Sequence, residues 1–433
     1  GKGLWGFLFF WSVSHDPTKF TRSATAFPIH PFYLFDGATM LRDISPQNLF
    51  MGILAAFVGS ASSFAVVLQG LGAVGATPDQ AASGLMALSV AMGLCSIYLS
   101  LRTRMPISIA WSTPGAALLA TSGAIDGGFA VAVGAFIICA ILIIICGIWK
   151  PLGRAVAAIP APLANAMLAG VLLGLCLAPI KAVAFNPLLG LPIVIAWLVV
   201  GRINRLFAVP AALLAFIIVM VIGVDFPENT LGSLGGAIVP PVEFVIPEFT
   251  LAGLVGIALP LFIVTMASQN IPGTAVLRAN NYDTPPGPLF ATTGFFSLLA
   301  APFGGHAVNL AAIIAALCAG EDAHPDPKKR YWAAAFGGVF YILFGLLAGL
   351  VTAFVSLAPS ILIEAVAGLA LIGAFSGSVV AAFKDDDARE SAAVTFLVTA
   401  AGLSFFGVAG AFWGLLAGGL IYFLTHLRKA KAS

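Results

Sequence analysis

The sequence predicts an all-α polytopic membrane protein of fourteen transmembrane segments, built as two inverted sets of seven, with segments 3 and 10 interrupted. Three observations carry this expectation. The 433-residue chain is 60% hydrophobic and only 9% charged, against about 25% charged in a soluble domain. Its apolar runs are bounded by charges or by Pro and Gly, and most hold about the 20 residues needed to cross a bilayer. Two runs, Pro106–Leu119 and Ala301–Ala319, are interrupted where an ordinary span would continue.

In chain order the runs fall at 48–73, 80–101, 106–122, 128–149, 160–182, 187–201 and 207–224, then at 250–271, 286–303, 304–319, 331–356, 359–382, 391–407 and 410–427. Segment 3 opens with β-branched residues at alternate positions. It then turns through Ser112-Thr113-Pro114-Gly115 into an Ala/Leu run too short to span. Ser/Thr followed by Pro is a helix start, here in mid-membrane, where non-helical backbone is tolerated only if buried or lining a cavity. Charge placement tests the count. With the N-terminus inside, the even-numbered loops carry Arg102, Arg104, Lys150, Arg154, Arg202, Arg205, Arg278, Lys328, Lys329, Arg330, Lys384 and Arg389, whereas the odd loops carry only Lys181. The tail adds Arg428, Lys429 and Lys431, and the insert with Asp225, Glu228, Glu243 and Glu248 is acidic. By the positive-inside rule both termini are cytoplasmic and the insert faces outward.

The expected division is an N-terminal extension (1–39), a first seven-span repeat (40–225), an extracytoplasmic acidic connector (226–249) and a second repeat with a cytoplasmic tail (250–433). Met40-Leu-Arg-Asp reads like a natural start, so 1–39 stands outside the fold argument as a disordered or interfacial segment, a cleaved leader or translated upstream sequence. Leu168-Ala-Gly-Val-Leu-Leu-Gly resembles Val366-Ala-Gly-Leu-Ala-Leu-Ile, and an odd number of spans per repeat forces opposite orientations. Inverted repeats with paired interrupted segments are the architecture of alternating-access transporters. The steps Gly170/Gly174, Gly345/Gly349 and Gly414/Gly418 are read as helix-packing sites. The five cysteines lie in apolar runs and read as small core residues.

In this topology the half-helices of segments 3 and 10 begin near the membrane centre and point apart, so their partly positive N-termini attract an anion. Side chains expected there are Trp111, Ser112 and Thr113 from segment 3, and His306 and Asn309 from segment 10, with His306 at the start of its half-helix. Segment 8 adds Ser268, Gln269 and Asn270 deep in an apolar run, just before Pro272-Gly273, which should disturb the helix. Ser60, Ser62, Ser63 and Gln69 of segment 1 serve either packing or the site. Segments 1, 3, 8 and 10 contain no Asp or Glu, which suits a carboxylate ligand rather than a neutral nucleobase. Trp111, Phe262, Met266 and Phe303 suit an apolar or aromatic body. For proton coupling the candidates are His306, a residue type that titrates near neutrality, and Glu364 in segment 12; the substrate's own carboxyl group is a third carrier. No HExxH, GxSxG or Walker pattern occurs, and His324-Pro-Asp reads as a turn or a helix start. The sequence implies no metal, no cofactor and no nucleic-acid partner.

Trp111-Ser-Thr-Pro-Gly-Ala-Ala-Leu-Leu, Pro260-Leu-Phe-Ile-Val-Thr-Met-Ala-Ser-Gln-Asn-Ile-Pro-Gly, Phe303-Gly-Gly-His-Ala-Val-Asn-Leu-Ala-Ala-Ile, Ala323-His-Pro-Asp and Ala411-Phe-Trp-Gly-Leu-Leu-Ala-Gly-Gly together resemble the benzoate/proton symporter (BenE) family, in order and spacing, from Ile44 to Leu427. That family is related to the uracil-permease (nucleobase/ascorbate transporter) fold. The resemblance implies fourteen spans in two inverted repeats with core and gate domains, and a short strand plus half-helix in segments 3 and 10. It also implies that Gln269 stands where nucleobase permeases carry a substrate-binding glutamate, with Asn309 in the matching half-helix. The resulting expectation is a bacterial inner-membrane symporter, not an enzyme, that imports benzoate or a similar aromatic carboxylate with a proton; a homodimer is compatible with it. The alternatives are a nucleobase or other small organic anion carrier of the same fold and, in a different class, a polytopic membrane enzyme.

Overall fold

The computed structural model describes residues 40–123, 126–157, 159–223, 235–236, 239–283, 285–402 and 410–432, together with most of their side chains. The 1–39 extension, Asp225, Glu228 and the Ser62 side chain lie outside the described set. Residues 43–433 form one unit. Helix α1 (Pro46–Ala73) starts at a capping box in which Ser45 and Asn48 each satisfy the other's backbone N–H, and α2 (Pro78–Thr103) does the same with Thr77 and Gln80. Strand β1 (Ile109–Trp111) leads into α3 (Thr113–Ser122), followed by α4 (Gly128–Ile148) and the short α5 (Lys150–Ala157). Then come α6 (Ala161–Cys176), α7 (Ala178–Phe185), α8 (Pro187–Ile203) and α9 (Ala208–Gly223). The second half holds α10 (Leu251–Ala279), α11 (Pro286–Ala300), strand β2 (Val308–Leu310), α12 (Ala312–Ala319), α13 (Tyr331–Gly345), α14 (Ala348–Ser356), α15 (Ser360–Phe383), α16 (Arg389–Ala400) and α17 (Gly410–Ala432).

Every apolar run contains helix, yet among the described residues six helices are long and apolar enough to cross a membrane, counting α6 and α7 (Ala161–Phe185) as one, or seven if the α13–α14 pair, bent by 52°, is one span. Shorter apolar helices are α8, α9 and the apolar part of α17, Gly410–Thr425. At about 1.5 Å per residue, α8 with its 17 residues is about 25 Å long, a little under the hydrocarbon thickness of about 30 Å.

Segment 8 differs from expectation in a second way. Pro272-Gly273 does not break it: α10 stays helical through both, and the irregularities are two π-helical turns, Leu254–Ala258 and Met266–Asn270. Each precedes a proline, Pro260 or Pro272. A proline ring clashes with the carbonyl four residues back and offers no N–H; widening the preceding turn absorbs both effects.

Packing follows a mirrored scheme. α2 packs on α13 and α4 on α11; α8 packs on α9 and α16 on α17; α9 packs on α15 and α17 on α6; α8 meets α15 and α6 meets α16, while α6 and α15 pack on one another. Most of the core joins α1–α4 to α10–α14. A separate cluster, with Ile193, Phe216, Met220 and Leu362, joins α7, α8 and α9 to α15. The glycine steps pack as read at Gly170, Gly414 and Gly418, where an added Cβ would strike Thr395 or Thr399 of α16, whereas Gly174 faces open space. Cys95, Cys139, Cys146 and Cys318 are buried and Cys176 is half-buried.

Candidate functional site

β1 and β2 pair antiparallel, with Ile109 opposite Leu310, Ala110 opposite Asn309 and Trp111 opposite Val308. The ladder extends at both ends: Ser112 N–H donates to Ala307 O at 2.9 Å and Ala311 N–H to Ser108 O at 3.0 Å. The two strands therefore run side by side in opposite directions, and α3 and α12 leave from opposite ends of one short ribbon. Serines of the preceding helices hold the strands. Ser96 and Ser100 of α2 both donate to Ile107 O at 3.1 Å, and Ser297 of α11 accepts from Val308 N–H at 2.9 Å. Buried backbone groups left unpaired would be costly, and these hydroxyls supply partners to a ribbon too short to satisfy its own.

This geometry corrects the reading of segment 10. His306 and Asn309 are not in the half-helix: Asn309 is the middle residue of β2, His306 precedes the strand, and α12 begins only at Ala312. The ladder turns Val308-Asn309-Leu310 into extended backbone that a scan for helix starts cannot see. His306 therefore lies beside the N-terminus of α3, one residue from the carbonyl that receives Ser112 N–H. Its Nδ1 accepts Ala307 N–H at 2.7 Å, Phe136 packs edge-on at 6.3 Å, and buried Nε2 has no partner among the described residues.

The eight expected substrate-site residues separate into two groups. Trp111, Ser112, Asn270, Asn309 and His306 are buried and engaged. The Trp111 indole N–H donates to Ser63 Oγ at 2.8 Å. Ser112 Oγ lies 2.9 Å from Thr265 Oγ1 and accepts Gly115 N–H at 3.2 Å. Asn270 accepts Leu310 N–H at 3.0 Å and reaches Met266 sulfur, pinning α10 to β2. The Asn309 amide, oriented to satisfy both neighbours, accepts Ser112 N–H at 3.1 Å and donates to Leu310 O at 2.9 Å. Thr113, Ser268 and Gln269 are half-buried. Ser268 donates back to Val264 O, whereas Thr113 and Gln269 have no hydrogen-bond partner among the described residues. Gln269 sits in the second π turn, which packs against β2 and α6. Glu364 is half-buried in the second turn of α15. Ser63 is tied to Trp111, while Ser60 Oγ and Gln69 Oε1 are buried without partners among the described residues.

Sequence reading missed Thr265, Ser297 and Arg330. Thr265 and Ser297 are fully buried and belong to the class of intramembrane hydroxyls that could have flagged them. Arg330 was counted as a loop charge. It is 6% exposed and donates to Ala319 O at 2.8 Å, to His324 O at 2.6 Å and to Pro325 O at 3.4 Å, closing the C-terminus of α12. Of the two readings of His324-Pro-Asp, the helix start holds: Asp326 caps the 3-10 turn Pro327–Lys329 by accepting Lys328 N–H.

Comparison with known proteins agrees with the architecture. A family model described as benzoate membrane transport protein (BenE) matches residues 42–424. The chain is 40% identical over 389 residues to the inner membrane protein YdcO of Escherichia coli (strain K12), covering 89% of this chain and 98% of that one. It is 34% identical over 400 residues to the benzoate membrane transport protein of Acinetobacter baylyi, covering 91% and 98%. Among solved structures, the murine solute carrier 26 family member A9 anion transporter in the inward-facing state superposes with a TM-score of 0.59 at 12% identity, over 94% of this chain and 73% of that one. That similarity is one of fold.

Proposed function

The chain belongs to the BenE benzoate membrane transport family, a family of multi-pass membrane transporters, and on that premise we propose that it imports benzoate or a related aromatic carboxylate together with a proton by alternating access. The mirrored helix contacts support fourteen segments in two inverted repeats, 40–225 and 250–433, and the basic loops support an outward connector and both termini in the cytoplasm of a bacterial cell. The short and broken helices are then segments that cross with help from neighbours.

The observation that carries the site reading is Gln269: a half-buried side-chain amide without a protein partner among the described residues, on a π turn packed against β2. Such an amide keeps its hydrogen-bonding capacity for a ligand, and π turns concentrate at functional sites. With Thr113 and Ser268 it offers hydrogen bonds to a carboxylate near the α3 and α12 N-termini. Trp111, Ser112, Asn270, His306 and Asn309 hold the frame. No carboxylate lies in segments 1, 3, 8 or 10 to repel an anion.

The test is uptake of labelled benzoate into proteoliposomes under an inward proton gradient, competed by benzoate analogues and by uracil. Competition by uracil alone would favour the nucleobase alternative. Gln269→Glu places a like charge beside the bound carboxylate. At about 4 Å and an effective dielectric near 20 the repulsion is about 4 kcal/mol, roughly a thousand-fold in affinity. Unchanged benzoate affinity in the folded variant at neutral pH would remove Gln269 from the site.

Proton coupling through His306 has a geometric condition. Nδ1 accepts the Ala307 N–H, so the ring can take a second proton only if that amide turns away. Coupling through His306 would thus move the start of β2. His306→Gln cannot titrate; it should spare benzoate exchange and weaken accumulation driven by a pH gradient. Undiminished accumulation would transfer the role to Glu364 or to the substrate's own carboxyl group.

A further inference from the structure

A cavity of about 370 Å³ lies between α9 and a wall formed by α1, α2, α13 and α14, with Trp111 at its buried side. Its size is that of a ligand pocket, about 300–1,000 Å³, but its chemistry is not that of the carboxylate site. No charged residue lines it. Of its polar side chains, Ser89 donates to Leu85 O at 2.8 Å and the Trp111 indole N–H is taken by Ser63. Only Ser60 Oγ is left without a partner. An anion placed here would be buried without compensation.

The mouth identifies the occupant. Phe57 and Ile217, on its wall, are 41% and 38% exposed. They continue into exposed apolar residues of the same helices, Ile53 on α1 and Leu214 and Ile218 on α9. In a multi-pass membrane protein such a surface meets lipid hydrocarbon, so the opening is continuous with the bilayer interior. An apolar space of this size deprives the surrounding side chains of dispersion contacts, and the medium at its mouth consists of chains able to restore them.

We propose that this cavity is an intramembrane binding site for a lipid acyl chain, held between α9 and the α1–α2–α14 wall and touching Trp111. The chain lies between two hydrophobic clusters: Phe216 of α9 belongs to the smaller one and meets Phe354 of α14 edge-on at 6.1 Å, while Trp111 belongs to the larger. If the two clusters move relative to one another during transport, a consequence that rests on the alternating-access reading, occupancy biases the conformations.

The test needs no transport measurement, so its failure leaves the function proposed above untouched. Six of the seven tryptophans are replaced by Phe, leaving Trp111, and the protein is reconstituted in phosphatidylcholine brominated along its acyl chains or in the unbrominated lipid. Trp111 is only 3% exposed, yet should lose about half or more of its emission in brominated lipid, because a chain in the cavity touches the indole. Ala61→Phe, and independently Ser60→Leu, fill the cavity and should restore most of that emission, with monodispersity and emission maximum reporting a retained fold. Equal Trp111 emission in the two lipids would overturn the proposal, and so would quenching that persists in both filled variants.

Discussion

The half-helix α3 carries its own N-terminal cap and α12 does not. At α3, Ser112 Oγ accepts Gly115 N–H and Pro114 removes another amide from the first turn. At α12 the N-cap is Ala311, which has no side-chain acceptor. The other ends reverse the contrast: α3 finishes at Gly123 with Thr121 and Ser122 bonding back to Leu118 O, whereas α12 is closed by the buried Arg330 guanidinium. One broken segment is specified locally, the other by residues brought from elsewhere. The difference bears on function as well, since an N-terminus without a side-chain cap keeps more of its first-turn N–H groups for an anion. On this reading α12 contributes more to carboxylate binding than α3, although both begin at the same ribbon.

The comparison can be broken at three places. Arg330→Met should have the largest effect: three carbonyls lose a charged donor, costing about 3 kcal/mol or more, seen as a lower unfolding temperature in detergent. A negligible change would mean that α12 does not depend on its distant cap. Ser112→Ala should cost less, about 1–2 kcal/mol for the cap and the Thr265 contact together, and should leave benzoate affinity nearly unchanged by isothermal titration calorimetry. A large loss of affinity there would return α3 to the centre of the site. Smallest is Ala311→Ser, which gives α12 the cap that α3 has. Stability should rise by about 1 kcal/mol while affinity falls by about five-fold as the new hydroxyl competes with the ligand for the same amides. Tighter binding in this variant would reverse the proposed inequality.

Legibility in the sequence followed the same division. Ser112-Thr113-Pro114-Gly115 signals a helix start through local chemistry alone, and α3 begins where those residues predict. Segment 10 contains no such signal. Its strand exists because β1 lies alongside, Ser297 fixes Val308 and Asn270 fixes Leu310, so His306 and Asn309 were placed in a helix they do not join. The polar cluster Ser268-Gln269-Asn270 was visible as a cost in an apolar run. Its division into Asn270, spent on the backbone of β2, and Gln269, unengaged, appears only when the neighbours are present.

What the sequence by itself determined is what depends on composition and short-range order: membrane solvation of the apolar runs, the caps of α1, α2 and α3, and the absence of acids from the central segments. What only the tertiary structure decided is which buried polar groups have partners, with the register of the paired strands, the π turn before Pro272, the Arg330 cap and the apolar cavity beside Trp111. The physical reason is that in a medium without water a backbone or side-chain polar group must find its partner within the protein, and partners from Ser96 to Ile107 or from Asn270 to Leu310 are set by how helices pack rather than by any local pattern.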